Sequence, residues 1–199
     1  MKYGTMKYWR TLAVLSVKRP GEAAQILMGM GFTAGVLWNA LGLVAAANTF
    51  LFTLSNMLLP GPSPLLGGLD LPLVYFAIVA GGLSLTVVSI YWTGRFMGGK
   101  AALADVLVLI VWMQVLRLVV QGAVLVLVLV MPILSVLLVI ASGLIGIYML
   151  VHFINQAHRF DSPGKAAVVL VLSMLAIVAG LSLLLTLVAG PYAGATLNV

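Results

Sequence analysis

Residues 103–155 read LADVLVLIVWMQVLRLVVQGAVLVLVLVMPILSVLLVIASGLIGIYMLVHFIN, and the reading of this stretch decides the fold. Beyond Asp105 in its first turn, the only formal charge in it is Arg117. As one helix rising ~1.5 Å per residue, these roughly 50 residues would reach roughly 75 Å, whereas a bilayer's hydrocarbon core is about 30 Å thick. The run must therefore cross twice. Met131-Pro132 near its centre is where it turns back, because proline suits the first turn of a helix and breaks the interior of one. Arg117 then sits near mid-membrane, with Gln114 three residues before it and Gln121 four after, on one helical face.

The rest of the chain has the same character. Its 199 residues are 63% hydrophobic and 7% charged, with a mean hydropathy of +1.24. A soluble domain carries about 25% charged residues, so the composition defines an integral membrane protein, all-α and built as a single bundle. The net charge of +6 would point toward nucleic acid in a soluble chain; here its distribution marks membrane orientation, and no nucleic-acid partner is expected. There is no cysteine, which excludes disulfides and thiolate metal sites. The first long apolar segment begins near Phe32, too late for the core of a cleaved signal peptide.

Working outward, residues 1–32 form an amphipathic interfacial segment. Trp9, Leu12, Ala13, Leu15 and Ser16 alternate with Lys7, Arg10 and Lys18 in a pattern suited to a helix on the membrane surface. Pro20-Gly21-Glu22 opens a second short helix, with proline at the first turn and an acid at the positive end of the dipole. Residues 33–199 form the transmembrane domain, with spans at about 33–59, 72–96, 103–130, 132–155 and 165–189. The loop from Pro60 to Asp70 holds three prolines in five positions and is not helical; Gly190-Pro191 ends the last span. No internal repeat supports an inverted-repeat transporter. Nine of the ten basic residues fall on one side of this five-span arrangement, which places the amino terminus in the cytoplasm and the carboxyl terminus outside.

Two sets of residues are candidates for function. The first is Arg117 with Gln114, Gln121 and Asn48, the last at similar depth in the first span. An arginine at mid-membrane costs at least about 2.5–3.5 kcal/mol, and no acidic residue lies deep in any span to offset it. Amides, carbonyls, water or an anionic ligand must do so, which leaves an interhelical polar clamp, a site for an anionic lipid or solute, and a subunit contact as alternatives. The second set lies at the cytoplasmic interface: His152, Asn155 and Arg159 at the end of the fourth span, with Lys165, Arg95 and Lys100 in the loops. These basic groups attract anionic lipid of the cytoplasmic leaflet at roughly 1 kcal/mol each. Two histidines are too few for a zinc site, and no nucleophile elbow, metalloprotease signature or phosphate loop occurs, so neither an enzyme nor a cofactor is expected. Small residues four apart at Gly31/Gly35, Gly42/Ala46, Gly94/Gly98, Ser142/Gly146 and Ala176/Gly180 permit close helix contact.

Three segments carry a family resemblance: Lys18-Arg19-Pro20-Gly21-Glu22-Ala23-Ala24, then Gly98-Gly99-Lys100-Ala101-Ala102-Leu103-Ala104-Asp105, then His158-Arg159-Phe160-Asp161-Ser162-Pro163-Gly164-Lys165-Ala166. With these the chain resembles a bacterial member of the Yip domain family, five-span membrane proteins named for eukaryotic members that interact with Ypt/Rab GTPases. The resemblance implies vesicle trafficking, Rab binding and oligomer formation for the eukaryotic relatives. Their cytosolic Asp-Leu-Tyr-Gly-Pro motif is absent from this sequence. For bacterial members the family implies residence in the cytoplasmic (inner) membrane and no settled activity. The expected function is a non-enzymatic scaffold or adaptor that binds membrane proteins, itself or anionic lipid. The alternative is a small transporter or channel for an anionic or polar solute that uses the Arg117 site.

Overall fold

The computed structural model describes residues 5–59 and 71–193; the predicted 60–70 loop and the tail beyond 193 lie outside the described residues. Seven α-helices follow in order: α1 (Met6–Lys18), α2 (Pro20–Met28), α3 (Ala34–Leu58), α4 (Pro72–Phe96), α5 (Leu103–Val130), α6 (Pro132–His158) and α7 (Pro163–Ala193). The last five contain five candidate membrane spans, long and apolar enough to cross a membrane. Proline stands at the first turn of α2, α4 and α6, where its missing N–H has no intrahelical partner to lose.

Helix α4 contacts α3, α5, α6 and α7, and α5 packs on α3 and α6. The buried residues of α5 run from Val106 to Trp112, all in the first half of the helix. Those of α6 concentrate at the opposite end of its sequence, at Met149, Phe153, Ile154, Ala157 and His158. The bundle is thus tight at the end bearing the basic loops, hereafter the basic end, and looser toward the other. In the first half of α6 only a narrow seam of Ser135, Leu138, Ser142 and Gly146 is shielded, while Ile133, Val136, Ile140 and Leu144 are exposed. The close helix contact that the Ser142/Gly146 spacing suggests is not made there: a methyl group added at Gly146 would meet open space, and the Ser142 hydroxyl donates to the Val139 carbonyl of its own helix at 2.9 Å.

Three helix ends differ from the sequence reading by two residues or more. Helix α6 continues to His158 rather than Asn155, closed by a left-handed Arg159. Helix α7 begins at Pro163 and continues through Gly190-Pro191 to Ala193. At its start the Ser162 hydroxyl accepts the Lys165 N–H at 3.3 Å, an N-cap followed by proline at the first position. At its other end proline forfeits one donor, and in an apolar setting continued helix is the form that satisfies the remaining backbone groups.

The amphipathic α1 packs on α2 and α6, so it belongs to the bundle. Its buried face holds Leu12 and Ser16. The Trp112 indole N–H donates to the Ser16 hydroxyl at 2.8 Å, and the Trp9 and Trp112 rings lie 5.7 Å apart. Ser16→Ala removes this acceptor and strands a buried N–H, a loss of about 1–3 kcal/mol. Its expected result is faster tryptic cleavage at Lys7 and Arg10 in the otherwise folded protein, read by limited proteolysis; unchanged cleavage rates would show that the bond does not hold α1 in place.

Candidate functional site

At the basic end the α4–α5 and α6–α7 turns form one interlocked unit. Each of the two incoming helices ends in a left-handed residue followed by a six-to-one hydrogen bond. In α4, Gly98 takes φ +84°, its N–H reaches the Arg95 carbonyl at 3.0 Å, and the Gly99 N–H reaches the Gly94 carbonyl at 2.8 Å. In α6, Arg159 takes φ 55°, its N–H reaches Gln156 at 3.3 Å, and the Phe160 N–H reaches Asn155 at 3.1 Å. The Lys100 N–H then donates to the His158 carbonyl at 3.0 Å and joins the two turns. Asp105 accepts the Ala102 N–H at 3.0 Å at the start of α5, and Asn155 accepts the Ser162 N–H at 3.0 Å before α7.

His158 is the centre of this unit. Its side chain is fully buried, and the ring fits between Gly94 and Gly99, where a methyl group added to either glycine would overlap it. Phe160 stacks on its other side at 5.2 Å. The Ile90 carbonyl comes close to the ring without reaching hydrogen-bond geometry, so both ring nitrogens lack a partner among the described residues. These glycines thus serve a different purpose from the helix contact suggested by the Gly94/Gly98 spacing. Gly98 supplies the left-handed turn, and Gly94 with Gly99 supplies the slot.

The predicted interfacial residues surround this centre without converging on one point. Asn155 and the backbones of Lys100 and Arg159 belong to it. Lys165 lies 5.2 Å over the Phe160 ring, and Arg95 lies 5.7 Å from the Tyr91 ring on its own helix. His152 is bonded to the Tyr148 carbonyl one turn back in α6 and takes no part. The sequence reading passed over His158 in favour of His152. The available signal was its place directly before the helix stop, opposite a glycine-rich turn, but nothing local distinguished it.

Arg159 holds a conformation that costs an L-residue about 1–2 kcal/mol, which glycine avoids. Arg159→Gly is expected to leave the fold intact and raise the unfolding free energy by up to about 1 kcal/mol, measured by thermal unfolding in detergent. A destabilisation would mean that the arginine side chain makes a contribution larger than this strain.

The mid-depth set is arranged differently. Arg117 lies at the midpoint of α5, about 21 Å from either end by helical rise. It is exposed, and no hydrogen bond or ion pair joins it to another described residue. Of the three alternatives, the interhelical clamp is not made among the described residues. Asn48 is buried and donates to the Val44 carbonyl of its own helix at 2.9 Å, while Gln114 and Gln121 are half-buried. Beyond Trp112 no residue of α5 is fully enclosed, and Arg117 stands on an exposed position of the helix while Gln114 and Gln121 are partly covered.

The architecture is that of a multi-pass, all-helical membrane protein with an ordered end and an open one. The Yip1 domain family model matches residues 14–184, and the chain belongs to that family. No curated protein and no solved structure matches it.

Proposed function

We propose that this chain is a non-enzymatic membrane scaffold or adaptor that binds other membrane proteins, or copies of itself, through the looser half of its bundle. The chain resides in the bacterial cytoplasmic membrane, with the basic end in the cytoplasm. The observation that carries the reading is Arg117, exposed at the midpoint of an apolar helix with no partner among the described residues. A guanidinium so placed in lipid alone costs at least about 2.5–3.5 kcal/mol, and a partner that supplies a carboxylate or carbonyls removes that cost. The exposed apolar flanks of α6, including Ile140, Leu144 and Ile147, extend the same open half. Extraction in mild detergent, followed by crosslinking and mass spectrometry, tests this reading. A discrete homo-oligomer or a co-purifying membrane protein is the expected result; a strictly monomeric chain with no associated protein would overturn it.

A further inference from the structure

A second feature lies on another face of α5 and stands independently of Arg117. Between α1, the α2–α3 turn and α5 is a groove of about 660 Å³. This is within the range of about 300–1,000 Å³ usual for sites that hold a small molecule. Its walls include Trp9 and Arg10 of α1, Val36 of α3, and Val108, Trp112 and Val119 of α5. On α5, Arg117 is about half a turn away from Val119, so the groove and the arginine occupy separate faces.

All the residues lining the groove are apolar or aromatic except Arg10, which is exposed and forms no ion pair among the described residues. Lys7, one turn earlier, is also exposed. The first turn of α1 carries no acidic residue, and Thr5 makes no side-chain capping bond. The helix therefore presents its positive end and two free cations beside an apolar trough. Trp9 and Trp112 are paired at this level, as aromatic residues commonly are where headgroup meets hydrocarbon.

We propose that the groove is a binding site for one anionic phospholipid, with an acyl chain along Val108 to Val119 and the headgroup phosphate on Arg10. A chain moved from bilayer into groove gains almost no hydrophobic free energy, because lipid is as apolar as the walls. Selectivity must therefore come from the headgroup. One basic residue near the surface favours an anionic lipid by an amount equivalent to about fivefold in affinity.

The two tryptophans in the groove provide the readout. In a Trp38→Phe/Trp92→Phe background only Trp9 and Trp112 fluoresce, and bilayers doped with lipid brominated along the acyl chain quench them on contact. Brominated phosphatidylglycerol is expected to quench at about one-fifth the membrane fraction needed for brominated phosphatidylcholine. Arg10→Gln should bring the two to parity, and Ala40→Phe, which fills the groove, should weaken quenching by both. Equal quenching in the parent would reduce the groove to ordinary surrounding lipid. A preference that survives Arg10→Gln, or a groove quenched by neither lipid in a protein that crosslinks as a dimer, would equally overturn the proposal.

Discussion

Gly94→Ala is expected to lower the thermal midpoint of the detergent-purified protein by roughly 6–12 °C, equivalent to about 3 kcal/mol for a chain of this size. The added methyl would overlap the His158 ring, which is fully enclosed and has little room to withdraw: Gly99 closes the slot and Phe160 stacks against the ring. Close-packed interiors tolerate an extra methylene poorly, and here both walls of the slot are backbone. His158→Ala alone removes the ring and leaves a hole, at about 2–3 kcal/mol. In the double variant the new methyl enters the space the ring has vacated. The combined loss is then expected to fall short of the sum by about 1–3 kcal/mol, the coupling typical of residues in direct contact. Strict additivity in the same melts would mean that ring and glycine do not touch.

Arg117→Leu is expected to act with opposite signs on the isolated chain and on its complex. Replacing the exposed guanidinium by leucine removes a desolvation cost of about 3 kcal/mol, so the monomer inserts and withstands heating at least as well as the parent. The partner at the same time loses the charge that it neutralises. At about 1.4 kcal/mol per decade, binding should weaken roughly 100-fold, measured by titration of the labelled protein in vesicles or by retention of the co-purified partner. An intramolecular clamp would behave in the reverse way, since its removal leaves Gln114, Gln121 or Asn48 unsatisfied and destabilises the monomer itself.

Much of the architecture was legible in the sequence because apolar length and proline are local signals. The boundaries of α4 and α5 agree with the hydropathy reading to the residue, and Pro132 separates α5 from α6 as its fixed φ requires. Gly98 is another local case, since a glycine just past the end of a helix marks a left-handed stop. The ends of α6 and α7 were less legible, although Ser162-Pro163 is a start signal that places α7 two residues earlier than the apolar run alone suggests.

What escaped was long-range. The partner of Gly94 is a ring 64 positions further along the chain, and a glycine pair spaced for helix contact looks the same whether a helix or an imidazole fills the gap. The docking of α1 likewise rests on Ser16 meeting Trp112 across 96 positions, while the local pattern of α1 describes a surface helix equally well. Depth and facing put Gln114, Gln121 and Asn48 within conceivable reach of Arg117. Whether helices close around a charge, however, depends on how the bundle splays, which no spacing rule contains.

The most direct test of a partner at the open half is photo-crosslinking from the face that carries Arg117. With p-benzoylphenylalanine in place of Gln121, one turn beyond Arg117, irradiation in native membranes is expected to yield a discrete protein adduct, either a second copy or another membrane protein. The adduct should vanish in the Arg117→Leu background. Labelling of lipid alone, unchanged by that substitution, would contradict the account.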